Sequence, residues 1–154
     1  MVQATHAPHA TYEDANLIMQ LYDLRREEKL RKARDWFLRE FRVDSVKEFF
    51  EKYPTGSEQN AFYRMVVGYW DMAASFLVQG IVHEELFFGS SGELLAVWER
   101  TKALVEDFRV WAKNPCISLN IEKAAARHIA WLNQRAPGAY EAMQEWMRGY
   151  SSKA

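Results

Sequence analysis

Residues 64–84 constrain this chain more than any other stretch: Arg-Met-Val-Val-Gly-Tyr-Trp-Asp-Met-Ala-Ala-Ser-Phe-Leu-Val-Gln-Gly-Ile-Val-His-Glu. The run is apolar around most of a helical circumference, and such a helix must be buried in protein or in lipid. Asp71, Ser75, Gln79 and His83 nevertheless recur through it at four-residue steps. Buried polar groups need partners, so the run marks where a polar interior is expected. Four-residue steps on an α-helix drift by about 40°, so the series from Asp71 to His83 sweeps about 120° of its surface. The groups therefore wind from one neighbour to the next instead of aligning on one site. Arg64 lies two turns before Asp71 on nearly the same face and would pair with it through its long side chain. Gly68 and Gly80 would admit a close neighbour or a ligand, which would explain tolerating a cost of about 1 kcal/mol each against Ala.

The run admits three readings. Residues 65–82 carry one formal charge, about the length a membrane span needs. Asp71 sits near the middle of that stretch, where it would cost about 2.5–3.5 kcal/mol on insertion, and the flanking helices are amphipathic. No membrane is therefore expected. The second reading is a structural core helix, and the third a pocket built on its polar groups.

Helix signals punctuate the rest of the chain. Thr11 caps a long helix expected to reach residue 42, with Glu13 and Asp14 in its first turn where the dipole favours acids. Ser45 and Glu48 form a capping box opening a short helix over 46–53, which Pro54 and Gly56 end. Ser57 caps the central helix, expected over about 58–88, and Gly-Ser-Ser-Gly at 89–92 reads as a loop. A helix over 93–113 ends at Asn114-Pro115, a fifth spans 119–134, and Pro137 suits the first turn of a sixth. No segment alternates with period two. The expected fold is all-α: about five to six helices packed around the central apolar one. Residues 11–150 would form a single domain and residues 1–10, with His6 and His9, a disordered tail.

Charge and motifs exclude more than they assign. With 20 basic and 21 acidic side chains, the chain lacks the basic excess of a nucleic-acid binder. The single Cys116 makes no internal disulfide, and the first residues show no basic and apolar leader pattern, so a soluble cytoplasmic protein is expected. His83-Glu84-Glu85 has metal-ligand and acid/base residue types, but neighbours on a helix point about 100° apart. Neither a Glu-x-x-His pair nor His-Glu-x-x-His occurs, so no metal or cofactor is expected. His128, on an apolar face, reads as a core histidine. Residues 25–34 hold six basic and two acidic side chains, with acid-before-base pairs at four-residue spacing (Glu27–Arg31, Glu28–Lys32, Asp35–Arg39) typical of a solvated helix face. Residues 84–107 carry six acids against Arg100 and Lys102, a complement to that basic run within the molecule or across a dimer.

Tyr-Asp-Leu-Arg-Arg-Glu-Glu-Lys-Leu-Arg-Lys-Ala-Arg-Asp-Trp-Phe at 22–37, Tyr-Trp-Asp-Met-Ala-Ala-Ser-Phe at 69–76 and His-Glu-Glu-Leu-Phe at 83–87 resemble a small family of uncharacterised bacterial all-helical proteins. The resemblance implies no catalytic residue. The expected function is an interaction or small-ligand-binding module that self-associates as a homodimer or other homo-oligomer, because six Trp are hard to hide in one small bundle. The alternative is an enzyme or metal-binding protein with a polar pocket at Asp71, Gln79, His83 and Glu84. Candidate ligand-binding residues are Arg64, Asp71, Ser75, Gln79, His83, Glu84 and His128.

Overall fold

The computed structural model describes residues 9–151, of which Ser151 is described in its backbone only. The tail expected over 1–10 lies outside them apart from His9 and Ala10, both exposed. Among the described residues eight helices follow in order: α1 (Tyr12–Arg26), α2 (Glu28–Arg39), α3 (Val46–Lys52), α4 (Glu58–Val78), α5 (Glu84–Ser90), α6 (Glu93–Ala112), α7 (Leu119–Arg135) and α8 (Ala139–Ser151). No strand occurs among the described residues. The all-α expectation holds, and the two extra helices come from two breaks.

The first break divides the long N-terminal helix at Glu27, which takes an extended ψ of 136°. No Gly or Pro marks it. The Glu27 carboxylate instead caps α2 by accepting from the Leu30 amide at 2.9 Å. The Arg25 carbonyl, near the end of α1, accepts from Arg34 Nη1 at 2.9 Å. The turn lets Leu21 of α1 and Leu30, Ala33, Trp36 and Phe37 of α2 all reach the core.

The second break ends the central helix at Gln79, short of the expected residue 88. Gly80 adopts φ +73°, the Gly80 amide donates to the Leu77 carbonyl at 3.0 Å, and the Ile81 amide to Phe76 at 2.8 Å. This is a Schellman termination, which needs a left-handed residue that Gly supplies without strain. Gly80 thus stops the helix and does not admit a neighbour within it. Gly68 is exposed, with open space where a side chain would project. Residues Gly89 and Ser90, expected in a loop, complete the last turn of α5.

The other caps follow the sequence. Thr11 and Asp14 form a reciprocal capping box, and Ser45 and Ser57 accept from the amides of Glu48 and Asn60. Glu48 reaches back to the Asp44 amide, one residue beyond the box expected.

α4 packs mainly on α7 and α2, and α6 on α7. One face of α4 is nevertheless wet: Arg64, Gly68 and Met72 form an exposed stripe. The core is strongly aromatic. Phe37 stacks on Phe41 at 4.9 Å, and Phe49 meets Tyr63 at 4.7 Å and Phe108 at 5.3 Å, each pair adding about 0.5–1.5 kcal/mol beyond its buried area. No helix among the described residues is long and apolar enough to cross a membrane.

Candidate functional site

The structure disperses the seven candidate residues, six from the central run and His128 from α7. Asp71 caps a different helix: Oδ1 accepts from the Ile121 amide at 3.2 Å and Oδ2 from Asn120 Nδ2 at 3.1 Å. These belong to the first turn of α7, whose own N-cap, Ser118, makes no side-chain cap bond. Asp71 thus supplies from α4 both the acceptor and the negative charge that a helix start favours. Arg64 is exposed and donates through Nε to Asn60 Oδ1 at 3.2 Å, not to Asp71. Ser75 Oγ donates to the Met72 carbonyl at 2.6 Å, and Gln79 is exposed at the end of α4.

His83 and Glu84 belong to the junction with α5. The His83 amide donates to Asp14 Oδ1 at 2.8 Å. Asp14 thereby serves α1 and α5 together, and its carboxyl is held below the usual range mainly by the Thr11 amide. Glu84 pairs with Arg127 on α7, as Glu85 does with Arg135. His128 is buried and stacks on Phe88 at 4.5 Å, with Trp131 edge-on at 5.7 Å. Burial pushes its pKa down to about 4. Its Nδ1 has no hydrogen-bond partner in the structure, so this core histidine is held by ring packing. No group of three or more His, Cys, Asp or Glu among the described residues is placed to hold a metal ion.

The polar interior lies elsewhere, between α1, α2, α4 and α6. Glu93 accepts from Arg34 through two contacts, Nε at 2.8 Å and Nη2 at 2.5 Å, and from Trp70 Nε1 at 3.1 Å. Bidentate pairing of this kind is the strong form of an ion pair. Arg25 lies over the Trp70 ring at 5.3 Å. Tyr69, whose hydroxyl donates to the Leu21 carbonyl at 2.7 Å, has its pKa pushed up to about 12 by burial. The complementary charge of residues 25–34 and 84–107 was the sequence signal for this contact. Neither Arg34 nor Glu93 stood out individually.

A mostly apolar groove of about 290 Å³, with Glu93 in its lining, runs between α6 and α8. Its floor is Gly92, Ala96 and Arg100, at four-residue steps on one face of α6. At 1.5 Å rise per residue that strip is about 12 Å long. Met143, Trp146, Met147 and Tyr150 of α8 form the opposite wall, with Leu38 of α2. The groove exists because Gly92 and Ala96 offer almost no side chain where α8 presents large ones. Arg100 at its end donates through Nη2 to the carbonyls of Leu38 at 3.3 Å and Met147 at 3.5 Å. Burial and the neighbouring Arg42 guanidinium lower its pKa to about 10. Nothing in the sequence had singled Arg100 out, since its environment depends on how α8 folds back.

The chain matches the family described as a domain of unknown function, DUF4760, over residues 10–128. It belongs to that family. The matched region runs from the start of α1 into α7 and stops short of α8. No characterised protein and no solved structure matches the chain.

Proposed function

We propose that this member of the DUF4760 family is a binding module for a small apolar ligand, with the groove between α6 and α8 as its site. The observation that carries the reading is a groove whose lining is mostly apolar and whose end holds a guanidinium, the combination small-molecule sites use for affinity and orientation. The alternative of an enzyme or metal centre around α4 is less favoured. Asp71 and Glu84 spend their carboxylates on the α7 start and on Arg127. The single free thiol, Cys116, is exposed, which suits a reducing cytoplasmic setting and forms part of the proposal.

A calorimetric titration with 1-octanol, a ligand small enough for the groove, tests the site. Saturable binding of one octanol per chain is expected, lost in Ala96→Phe, which fills the floor, and in Met143→Trp, which fills the wall. Absence of saturable binding, or undiminished binding in both folded variants, would overturn the reading.

A second reading, self-association, has its own observation. Most of the Trp residues are taken up by the bundle, but Trp111 is 61 % exposed and Val110 is 75 % exposed. Trp111 meets the half-buried Phe50 at 5.1 Å, giving an apolar patch on α3 and α6 of the kind that marks interfaces. Light scattering after size exclusion, on the wild type and Trp111→Glu, decides it: a wild-type monomer refutes self-association.

A further inference from the structure

We infer that the ligand of the α6–α8 groove is a medium-chain aliphatic carboxylate of about ten heavy atoms, its head group paired with Arg100; this rests on the groove being a ligand site. Four observations converge on it. First, Arg100 makes no ion pair with a carboxylate among the described residues, whereas Arg34, Arg39, Arg127 and Arg135 each make one and Arg109 makes two. Its hydrogen bonds are long ones to backbone carbonyls, and its buried Nε has no hydrogen-bond partner. Second, the guanidinium of Arg42, which is not itself a lining residue of the groove, lies close to that of Arg100. Arg42 Nη2 and Arg100 Nη2 reach the same Leu38 carbonyl, at 3.4 and 3.3 Å. Like charges brought together in a half-buried setting favour an anion between them, and a carboxylate matches the planar fork of a guanidinium.

Third, the acids nearest the groove are already engaged. Glu93 is held by Arg34 and Trp70, and Glu99 by the Tyr140 hydroxyl and Lys102. Glu99 acts on Arg100 through space but makes no ion pair with it, and the Glu93 charge is offset by its own partner. Fourth, size and lining limit the tail. At about 30 Å³ per heavy atom, the share of a water in the liquid, 290 Å³ holds about ten. Ala96, Met143 and Trp146 offer that tail no hydrogen bonds beyond the indole edge, so an unbranched alkyl chain fits better than a sugar or nucleoside.

Calorimetric titration with octanoate, 1-octanol and octylamine, at pH 7 and low salt, tests the inference on the wild type, Arg100→Met and Arg100→Lys. Octanoate is expected to bind about tenfold tighter than octanol or better, since a hydrogen bond to a charged group is stronger than one between neutral groups. Octylamine should be the weakest. Arg100→Met, which keeps the apolar stem, should lose the preference for octanoate while octanol is unaffected, and Arg100→Lys should keep part of it. If octanol binds and octanoate binds no tighter, the groove binds ligand but the carboxylate inference fails. If octanoate retains its advantage in Arg100→Met, the anchor is wrong. If none of the three binds, both readings fall. Should Arg100→Met not fold, the wild-type ranking and Arg100→Lys still decide.

Discussion

Replacing Asp71 with Ala gives the sharpest test of how this fold spends its polar residues. The Asp71 carboxylate makes two hydrogen bonds to the first turn of α7, to the Ile121 amide and the Asn120 side chain. Ser118, the residue that would ordinarily cap that helix, is in the left-handed region at φ 54° and makes no side-chain cap bond. No local substitute is therefore in place. Removing a cap acceptor costs about 1 kcal/mol, within a range of about 0.5–2. Removing the negative charge from a helix start costs about 0.3–1 kcal/mol more, and up to about 2 in a partly buried setting. Together they give about 1.5–2.5 kcal/mol for Asp71→Ala. Asp71→Asn keeps an acceptor for the amide and loses the charge and the oxygen that accepts from Asn120, so it should fall between the two, at about 0.5–1.5 kcal/mol.

Urea unfolding followed by far-ultraviolet circular dichroism measures both, with the midpoint falling at unchanged slope. For a chain of this size the Ala variant should melt about 3–10 °C lower, at about 2–4 °C per kcal/mol. The ordering matters as much as the size: wild type, then Asn, then Ala. A loss below about 0.3 kcal/mol for Asp71→Ala lies beneath the capping range. It would mean that the carboxylate is not holding α7, and that it is free for chemistry on the face of α4.

Glu93→Ala should destabilise by about 2–3 kcal/mol, somewhat under the 3–5 of a fully buried pair, because Arg34 keeps 23 % exposure; Arg34→Met with Glu93→Leu should recover most of the loss in the same urea assay. His128, its pKa lowered to about 4 by burial, is neutral in the fold, so the unfolded chain binds the extra proton below about pH 6.5 and stability falls on acidification toward pH 4. Urea midpoints measured between pH 7 and 4.5 should show that slope, and His128→Phe, which keeps the stacking on Phe88, should flatten it; an unchanged slope refutes the assignment. The two glycines of the central run should respond with opposite signs. Gly80→Ala should cost about 1–2 kcal/mol for its left-handed backbone, whereas the exposed, helical Gly68→Ala should gain up to about 1 kcal/mol, both read from thermal melts.

Most of the fold was legible where the signal was local. Thr11, Ser45 and Ser57 were visible as caps because Ser and Thr hydroxyls satisfy amides two or three residues along, within one segment of sequence. The break at Glu27 was not, because Glu is an ordinary helix interior residue. It caps α2 here only because the core asks α1 and α2 to diverge. The termination at Gly80 was half legible: the glycine stood out, but a glycine inside an apolar run reads equally as a packing site. The charge complement of residues 25–34 and 84–107 did announce a contact, which the fold makes as Arg34 on Glu93. The groove was invisible, since the emptiness over Gly92 and Ala96 exists only once α8 lies opposite.

Three aspartates explain why the polar series of the central helix was a poor guide to a site. Asp71 caps α7, Asp107 accepts from the Val46 amide at the start of α3 at 2.7 Å, and Asp14 holds the His83 amide that begins α5. Each is a carboxylate on one helix satisfying the orphan amides of another. A bundle with eight helix starts has a large demand for such acceptors, and a chain with few Ser, Thr or Asn caps at hand meets it across helices. Acidic residues near an apolar helix are therefore drawn into structure first. Among the cations, Arg34, Arg109 and Arg127 are each matched by an acid. Arg100, left with carbonyls and a neighbouring Arg42 at the end of an apolar groove, gains most from a partner that the bundle does not itself provide.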